Sequence, residues 1–128
     1  ILAASKLSDS GNRIMVIGGV MRGDILGTHG VWASMALRTI RIDVALLDSS
    51  GVKGFNGPVI NEPNDAEFKR AVMERPANKY VLADSSKLHI SGVLSYCDWR
   101  EVDGLITNAD ADKKSIEKIR KQTEVIFV

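Results

Sequence analysis

The residues best suited to chemistry form the run Asp84-Ser85-Ser86-Lys87, which directly follows an apolar, strand-like segment. This run presents a carboxylate, two hydroxyls and an ammonium together. A lysine at the end of a strand can bind a phosphate or a sugar hydroxyl as a point charge. The competing interpretation is that Asp84 and the serines form a turn or a helix cap while Lys87 is solvated.

A second candidate is the glycine-rich segment that runs from Gly18-Gly19 to Gly30, immediately before a helix-like stretch. Glycines let backbone N–H groups approach a ligand, and a helix N-terminus attracts anions, so phosphate is the natural ligand. Arg22 is a candidate anion clamp within this segment. Because the segment has neither the Lys-Ser/Thr ending of a nucleotide P-loop nor a G-x-G-x-x-G fingerprint, simple turn geometry is the alternative, with Arg22 as a solvated loop residue.

A third loop, residues 49–58, begins with Ser49-Ser50-Gly51 and is rich in turn-forming residues. Outside these loops the sequence offers little chemistry. His29 and His89 are far apart and lack metal-ligand spacing, so we predict no metal site and no other cofactor. Cys97 has no C-x-x-C partner and is expected to be an inert, partly buried thiol.

Strand-like and helix-like segments alternate along the chain and must position these loops. The predicted strands are residues 13–17, 43–48, 79–83, 104–107 and 124–128, and the predicted helices include residues 31–40, 111–122 and a segment that begins with Asn64 as its cap and ends before Pro76. This alternation predicts an α/β fold, with a mostly parallel sheet and helices on both faces. Ligands of such sheets bind outside the carboxyl ends of the strands, which is where the three loops follow.

The composition and net charge of the chain limit the classes of function that it can have. The 128 residues are enough for one domain, and 17 basic against 16 acidic residues give a net charge of +1, which argues against DNA binding by this chain itself. The single cysteine favours a reducing compartment, so we expect a cytoplasmic protein. The longest nearly apolar run, from Met15 to Met21, is seven residues, far short of the roughly 20 that a membrane helix needs.

Several of these motifs occur in an order that resembles the effector-binding domain of DeoR-family bacterial transcriptional repressors. The resemblance covers essentially the whole chain, and its most specific part is Ala83-Asp84-Ser85-Ser86-Lys87. The other matching elements are Val16-Ile17-Gly18-Gly19, Gly30 at the start of a helix, Asp43 with residues 44–47, Ser50-Gly51, the helix with Glu67, Lys69 and Arg70, and Leu105-Ile106-Thr107.

The resemblance implies a fold similar to ribose-5-phosphate isomerase and related sugar-phosphate enzymes, used as a sensor for a phosphorylated sugar. Residues 1–128 would then be a single effector-binding domain that lacks its first strand and phosphate loop, together with an upstream winged helix-turn-helix. A chain that begins at Ile1, within a helix-like stretch, is consistent with this expectation. The implied ligand-binding residues are Gly18, Gly19, Gly30, Ser50, Gly51, Asp84 and Lys87, with Arg22 and Ser49 as further candidates.

The sequence departs from the family pattern at Asp48-Ser49, where small uncharged residues are more usual, so the polar contacts of this loop are expected to differ.

The predicted function is therefore phosphosugar sensing in a DeoR-type regulator of sugar metabolism, with DNA bound only through a separate domain. The alternatives are an enzyme similar to a sugar-phosphate isomerase and an oligomerisation module. We expect no enzyme, because residues 49–60 contain no carboxylate; Asp48 and Asp84 are the candidate bases that remain. We also expect a homo-oligomer, with Trp32, Trp99 and Phe127 as candidate contact residues and core packing as their alternative role.

Overall fold

The structure, a computed structural model, describes residues 1–23 and 26–128, and of Arg22 it describes the backbone alone. The described chain forms two compact units, residues 1–40 and residues 41–128. In the smaller unit, helix α1 (Leu2–Leu7) precedes an antiparallel pair of short strands, β1 (Val20–Arg22) and β2 (Gly27–His29), and helix α2 (Val31–Leu37) follows.

The predicted strand at residues 13–17 is wrong. Residues 12–18 form no regular element, and the side chains of Met15 and Val16 are exposed. A strand is stable only beside another strand, and no described strand of the smaller unit pairs with this segment. Within this segment the Ile17 carbonyl accepts a hydrogen bond from the Thr28 hydroxyl at 2.5 Å.

The larger unit contains a four-stranded parallel sheet, as predicted. Its strands are β3 (Val44–Asp48), β5 (Asn78–Leu82), β7 (Gly104–Thr107) and β8 (Glu124–Phe127), hydrogen-bonded in that order. Helices α3 (Pro63–Met73) and α4 (Lys113–Arg120) connect strands of this sheet, and a small antiparallel pair, β4 (Val59–Ile60) and β6 (Leu94–Ser95), completes the unit. The α/β class and the parallel sheet are therefore confirmed.

The strand order follows the chain order, which determines where the helices lie. Crossover connections between parallel strands are right-handed, so connections that always step in one direction fall on the same face of the sheet. Val81 and Leu105 point to that face and pack with Ile116 and Ile119 of α4, while Met73 of α3 packs against the same cluster. Strand β3 alternates accordingly: Ala45 and Leu47 are buried, and Val44 and Leu46 are exposed.

Two smaller expectations need correction. Helix α3 is capped by Glu62, whose carboxylate accepts the Asn64 N–H, because Pro63 occupies the first helical position and moves the start upstream of the predicted cap at Asn64. Trp99 is buried at 2% exposure in the main core, so of the two tryptophans only Trp32, at 76%, is available to a partner. In the part of the chain described, no helix has both the length and the apolar character needed to cross a bilayer.

Candidate functional site

The loop after β3 is fixed by the hydroxyl of Ser49. This side chain is buried, lies 3.0 Å from the Val59 carbonyl and accepts the Val59 N–H at 3.1 Å. The neighbouring Ser50 N–H also donates to the Val59 carbonyl, at 2.9 Å. The Ser49 hydroxyl is therefore engaged in holding the loop on β4, while Ser50 is only partly buried and stands nearer the solvent.

Gly51 allows this loop to meet the segment that follows Lys87. The N–H groups of Val52 and Lys53 both donate to the Ile90 carbonyl, at 3.1 and 3.0 Å. A Cβ atom on Gly51 would lie 2.2 Å from the same carbonyl oxygen, which no side chain tolerates. The absence of a side chain at Gly51 is thus what brings together the loops at the carboxyl ends of β3 and β5.

Residues Asp84 to Lys87 form the second part of the site. A short 3-10 helix, Ser85–His89, follows β5, and the Asp84 carboxylate caps it by accepting the Ser86 N–H at 2.8 Å. Hydrogen bonds from Ser86, and secondarily the ammonium of Lys87, hold the pKa of Asp84 below its ordinary value. The cap interpretation is therefore correct for Asp84, and the carboxylate remains exposed and ionised beside a half-buried Lys87.

Asn108 supports this second loop and was missed by sequence reasoning. It follows β7 directly, accepts the Ser85 N–H at 2.7 Å and donates to the Ser85 hydroxyl at 3.2 Å. The signal was present in the sequence: a polar side chain immediately after an apolar strand is the same pattern that identified Asp84. Asn108 therefore links the carboxyl ends of β5 and β7.

Sequence analysis also missed the role of a buried lysine of α3 whose ammonium lies at the carboxyl end of β3. Lys69 of α3 is only 5% exposed, and its Nζ lies 2.9 Å from Oδ1 of Asp48 and 2.8 Å from Oδ2 of Asp65. Tyr96 adds to this cluster, since its ring lies 5.9 Å from the Lys69 ammonium and its hydroxyl donates to the Asp48 carbonyl at 3.1 Å. Burial is the main cause that raises the pKa of Tyr96. The i,i+4 spacing of Asp65 and Lys69 was the available signal.

The remaining predicted positions lie in the smaller unit. Gly30 adopts φ of +100°, a conformation that favours glycine, just before α2. Gly19 passes so close to β2 that a Cβ atom would lie 2.5 Å from the His29 carbonyl oxygen, whereas Gly18 has open space around it. The side chain of Arg22 lies outside the described residues. Of the predicted positions, Ser49, Ser50, Gly51, Asp84 and Lys87 lie in the larger unit, in the loops that follow the neighbouring strands β3 and β5.

Other parts of the larger unit offer different chemistry. A cavity of about 710 Å³ lies on the helical side of the sheet, where Arg70, Glu74, Lys79, Tyr96 and Arg100 are among its lining residues. None of the five predicted site residues of the larger unit lines this cavity. Across residues 1–23 and 26–128, no three His, Cys, Asp or Glu side chains are grouped so as to hold a metal ion.

Comparison with known proteins identifies the family. Residues 1–109 match the model of the DeoR C-terminal sensor domain. Among related proteins, a lactose phosphotransferase system repressor of Staphylococcus epidermidis is 30% identical over 115 residues, which cover 89% of this chain and 45% of the relative. Its counterpart in Streptococcus mutans is 28% identical over 114 residues, with the same coverage of both chains.

A third relative, the HTH-type transcriptional regulator GlpR of Haloferax volcanii, is 24% identical over 116 residues, which cover 91% of this chain and 46% of that protein. The chain spans about half the length of the curated relatives it matches. Together with the parallel sheet, the match over residues 1–109 confirms the resemblance, and this chain belongs to the DeoR C-terminal sensor domain family.

Proposed function

We propose that this chain senses a phosphorylated sugar for a DeoR-type transcriptional regulator of sugar metabolism. The observation that carries the proposal is the meeting of two loops, 49–53 and 84–90, at the carboxyl ends of adjacent parallel strands. Ligands of open α/β sheets bind at this edge. The names of the relatives, which include repressors of a lactose phosphotransferase system, support a sugar-related role.

The roles of individual residues follow from their chemistry. Lys87 supplies the positive charge for the phosphate, and the Asp84 carboxylate and Ser50 hydroxyl hydrogen-bond to sugar hydroxyls. Ser49 and Gly51 shape the loop, because the hydroxyl of one and the missing side chain of the other hold it in place. For Gly18, Gly19, Arg22 and Gly30, which belong to the smaller unit, phosphate binding stays a prediction.

The whole protein would contain more than this chain. We propose a separate N-terminal winged helix-turn-helix for DNA binding, and a first strand and phosphate loop that belong to the sensor domain and precede residue 1. Regulators that read paired half-sites are at least dimers, so the protein is a homo-oligomer in the cytoplasm, with the exposed Trp32 as a contact candidate.

A regulator fits the site better than an isomerase. Aldose–ketose conversion needs a base within reach of the C2 proton of the sugar. The hydrogen bonds that hold the pKa of Asp84 below its ordinary value make it a weak base, and Asp48 is paired with the Lys69 ammonium. The relatives are named as repressors and regulators, which supports the same conclusion.

The test is ligand binding by the full-length protein, measured by thermal shift and calorimetry with a panel of pentose and hexose phosphates. At least one should stabilise the protein, and Lys87→Ala should weaken that binding by roughly 1.5 to 3 kcal/mol, or about 10- to 150-fold. The matched control is Lys118→Ala, which removes an exposed lysine of α4 and should leave affinity unchanged. Equal affinity in wild type and Lys87→Ala would remove Lys87 from the site.

A second assay addresses the enzyme alternative. The full-length protein should not interconvert ribose 5-phosphate and ribulose 5-phosphate. Turnover that disappears in Asp84→Asn would show that the site is catalytic and that the regulator proposal is wrong.

A further inference from the structure

The position of Asp48 in the sheet allows its side chain to contact a ligand bound at the Asp84–Lys87 loop. It is the last residue of β3 and lies opposite Leu82, two residues before Asp84. With neighbouring strands about 4.8 Å apart and a rise of about 3.3 Å per residue, the Cα atoms of Asp48 and Asp84 are about 8 Å apart. A sugar phosphate held at Lys87 can span that distance.

The carboxylate of Asp48 is held in one orientation. Its Oδ1 is paired with the Lys69 ammonium at 2.9 Å, and its backbone carbonyl accepts the Tyr96 hydroxyl at 3.1 Å. The two side chains differ sharply in exposure, at 6% for Lys69 and 75% for Asp48. One oxygen of Asp48 is therefore fixed by a buried cation, while Oδ2 has no hydrogen-bond partner among the described residues and faces solvent.

The net charge of the cluster formed by Asp48, Lys69 and Asp65 determines which ligand groups it binds. Lys69 is shared with Asp65, so two carboxylates surround one ammonium and the group carries a net negative charge. A phosphate is repelled from this end of the site and attracted to Lys87. Hydroxyl groups, in contrast, are good donors to an ionised carboxylate, and such hydrogen bonds are stronger than those between neutral groups.

We propose that Asp48 is the residue that determines effector specificity, by accepting hydrogen bonds from the hydroxyl end of a phosphorylated sugar whose phosphate lies at Lys87. Lys69 is the positioning residue that orients it. The inference rests on the proposed function. An ionised carboxylate at this position accepts hydrogen bonds from hydroxyls that a small apolar side chain would leave unpaired.

The experiment measures binding of ribose 5-phosphate, glucose 6-phosphate and inorganic phosphate to the full-length protein by calorimetry. Asp48→Ala should weaken binding of the better sugar phosphate by about 10-fold or more and change inorganic phosphate binding by less than about 2-fold. Asp43→Asn is the matched control, because Asp43 is an exposed aspartate just before the same strand, paired with Arg41. Asp48→Asn keeps the shape of the side chain and serves if Asp48→Ala does not fold.

Lys69 gives an independent readout. In a Lys69→Met background, Asp48→Ala should cause little further loss of sugar-phosphate affinity, because Lys69 no longer orients the Asp48 carboxylate. Lys69→Arg, in contrast to Lys69→Met, should retain most of the wild-type affinity. If the Asp48 variants bind the sugar phosphate as tightly as wild type, the inference is wrong and the proposed function stands. If no pentose or hexose phosphate of the panel used for the proposed function binds to wild type, both the inference and the proposed function are wrong.

Discussion

The side-chain amides of Asn56 and Gln122 hydrogen-bond to each other in both directions, across 66 residues of chain. The Asn56 amide nitrogen donates to Gln122 Oε1 at 2.7 Å, and the Gln122 amide nitrogen donates to Asn56 Oδ1 at 2.8 Å. Asn56 belongs to the loop that begins at Ser49, and Gln122 lies in the turn between α4 and β8. The pair therefore ties the candidate ligand loop to the far edge of the sheet.

This pair should contribute a measurable coupling energy. Asn56→Ala and Gln122→Ala, alone and together, are expected to show a coupling of about 0.5 to 1 kcal/mol in a double-mutant cycle, because each substitution removes the same two hydrogen bonds. Urea unfolding of the four proteins measures it. Asn56 also donates to Asp98 at 2.7 Å, so Asn56→Ala should cost more than Gln122→Ala. Strictly additive effects would show that the amide pair contributes nothing.

Gly51→Ala should disrupt the junction of the two site loops. The added Cβ atom would lie 2.2 Å from the Ile90 carbonyl oxygen, which is backbone and cannot rotate away. We expect a loss of about 2 to 4 kcal/mol in the free energy of unfolding, typical of overpacking that forces the backbone to move. Gly23→Ala is the control, because a Cβ atom there meets nothing within 4 Å. A change below about 0.5 kcal/mol at Gly51 would contradict the geometry described.

The ionisation of Asp84 should depend on Ser86. Because the folded-state pKa of Asp84 lies below its unfolded value, its contribution to stability is present above about pH 4 and is lost as the pH falls through the lowered pKa. Ser86→Ala removes the first of the responsible hydrogen bonds, so the pKa of Asp84 should rise towards its ordinary value. An NMR titration of the side-chain carboxyl carbon measures this shift. Ser91→Ala is the control, and an identical Asp84 titration in Ser86→Ala would refute the assignment.

Cys97 should react slowly with thiol reagents in the folded protein. Burial raises the pKa of this thiol to about 12, and the nearby carboxylates of Glu101 and Asp98 act in the same direction. At pH 8 about one molecule in 10⁴ carries the thiolate, against about a quarter in the unfolded chain, so modification by a disulfide reagent should be at least 100-fold slower before unfolding than after it. Comparable rates in the two states would contradict the burial of Cys97.

The same pKa shift has a consequence for stability at high pH. The pKa of Cys97 is higher in the folded protein than in the unfolded chain. The neutral thiol therefore makes its full contribution to stability below about pH 8.5. This contribution is lost between about pH 8.5 and about 12, because Cys97 ionises more readily in the unfolded chain. Stability differences between wild type and Cys97→Ala, measured from pH 8 to 11, isolate this contribution from that of the other titrating groups.

Prediction from the sequence succeeded for elements that a single segment identifies by its own residue pattern. The strands at β3, β5, β7 and β8 are short apolar runs bounded by polar residues, and buried parallel strands need little else to be identified. Asp84 was selected as a candidate because a polar cluster follows such a run. The failure at residues 13–17 has the opposite cause: that segment is apolar and short as well, but pairing depends on a neighbouring strand, which local sequence does not reveal.

The supporting residues of the site could not all be found in this way. The Lys69–Asp48 ion pair joins a helix to the end of a strand, and its existence depends on how α3 packs beside β3. The need for glycine at position 51 arises from the approach of Ile90, nearly 40 residues later, and not from its own backbone angles. Asn108 differs from both, because its position directly after an apolar strand was visible and was overlooked.

The uninterrupted strand order also bears on how the larger unit is made during protein synthesis. Each parallel strand pairs with the one that left the ribosome before it, so the sheet can grow from β3 to β8 at a single advancing edge, without holding a gap open for a later strand. Helix α3 can cover the first pair while the rest of the chain is still being translated. Of the four strands in this sheet β8 is synthesised last, and the loops at the candidate site leave the ribosome before it.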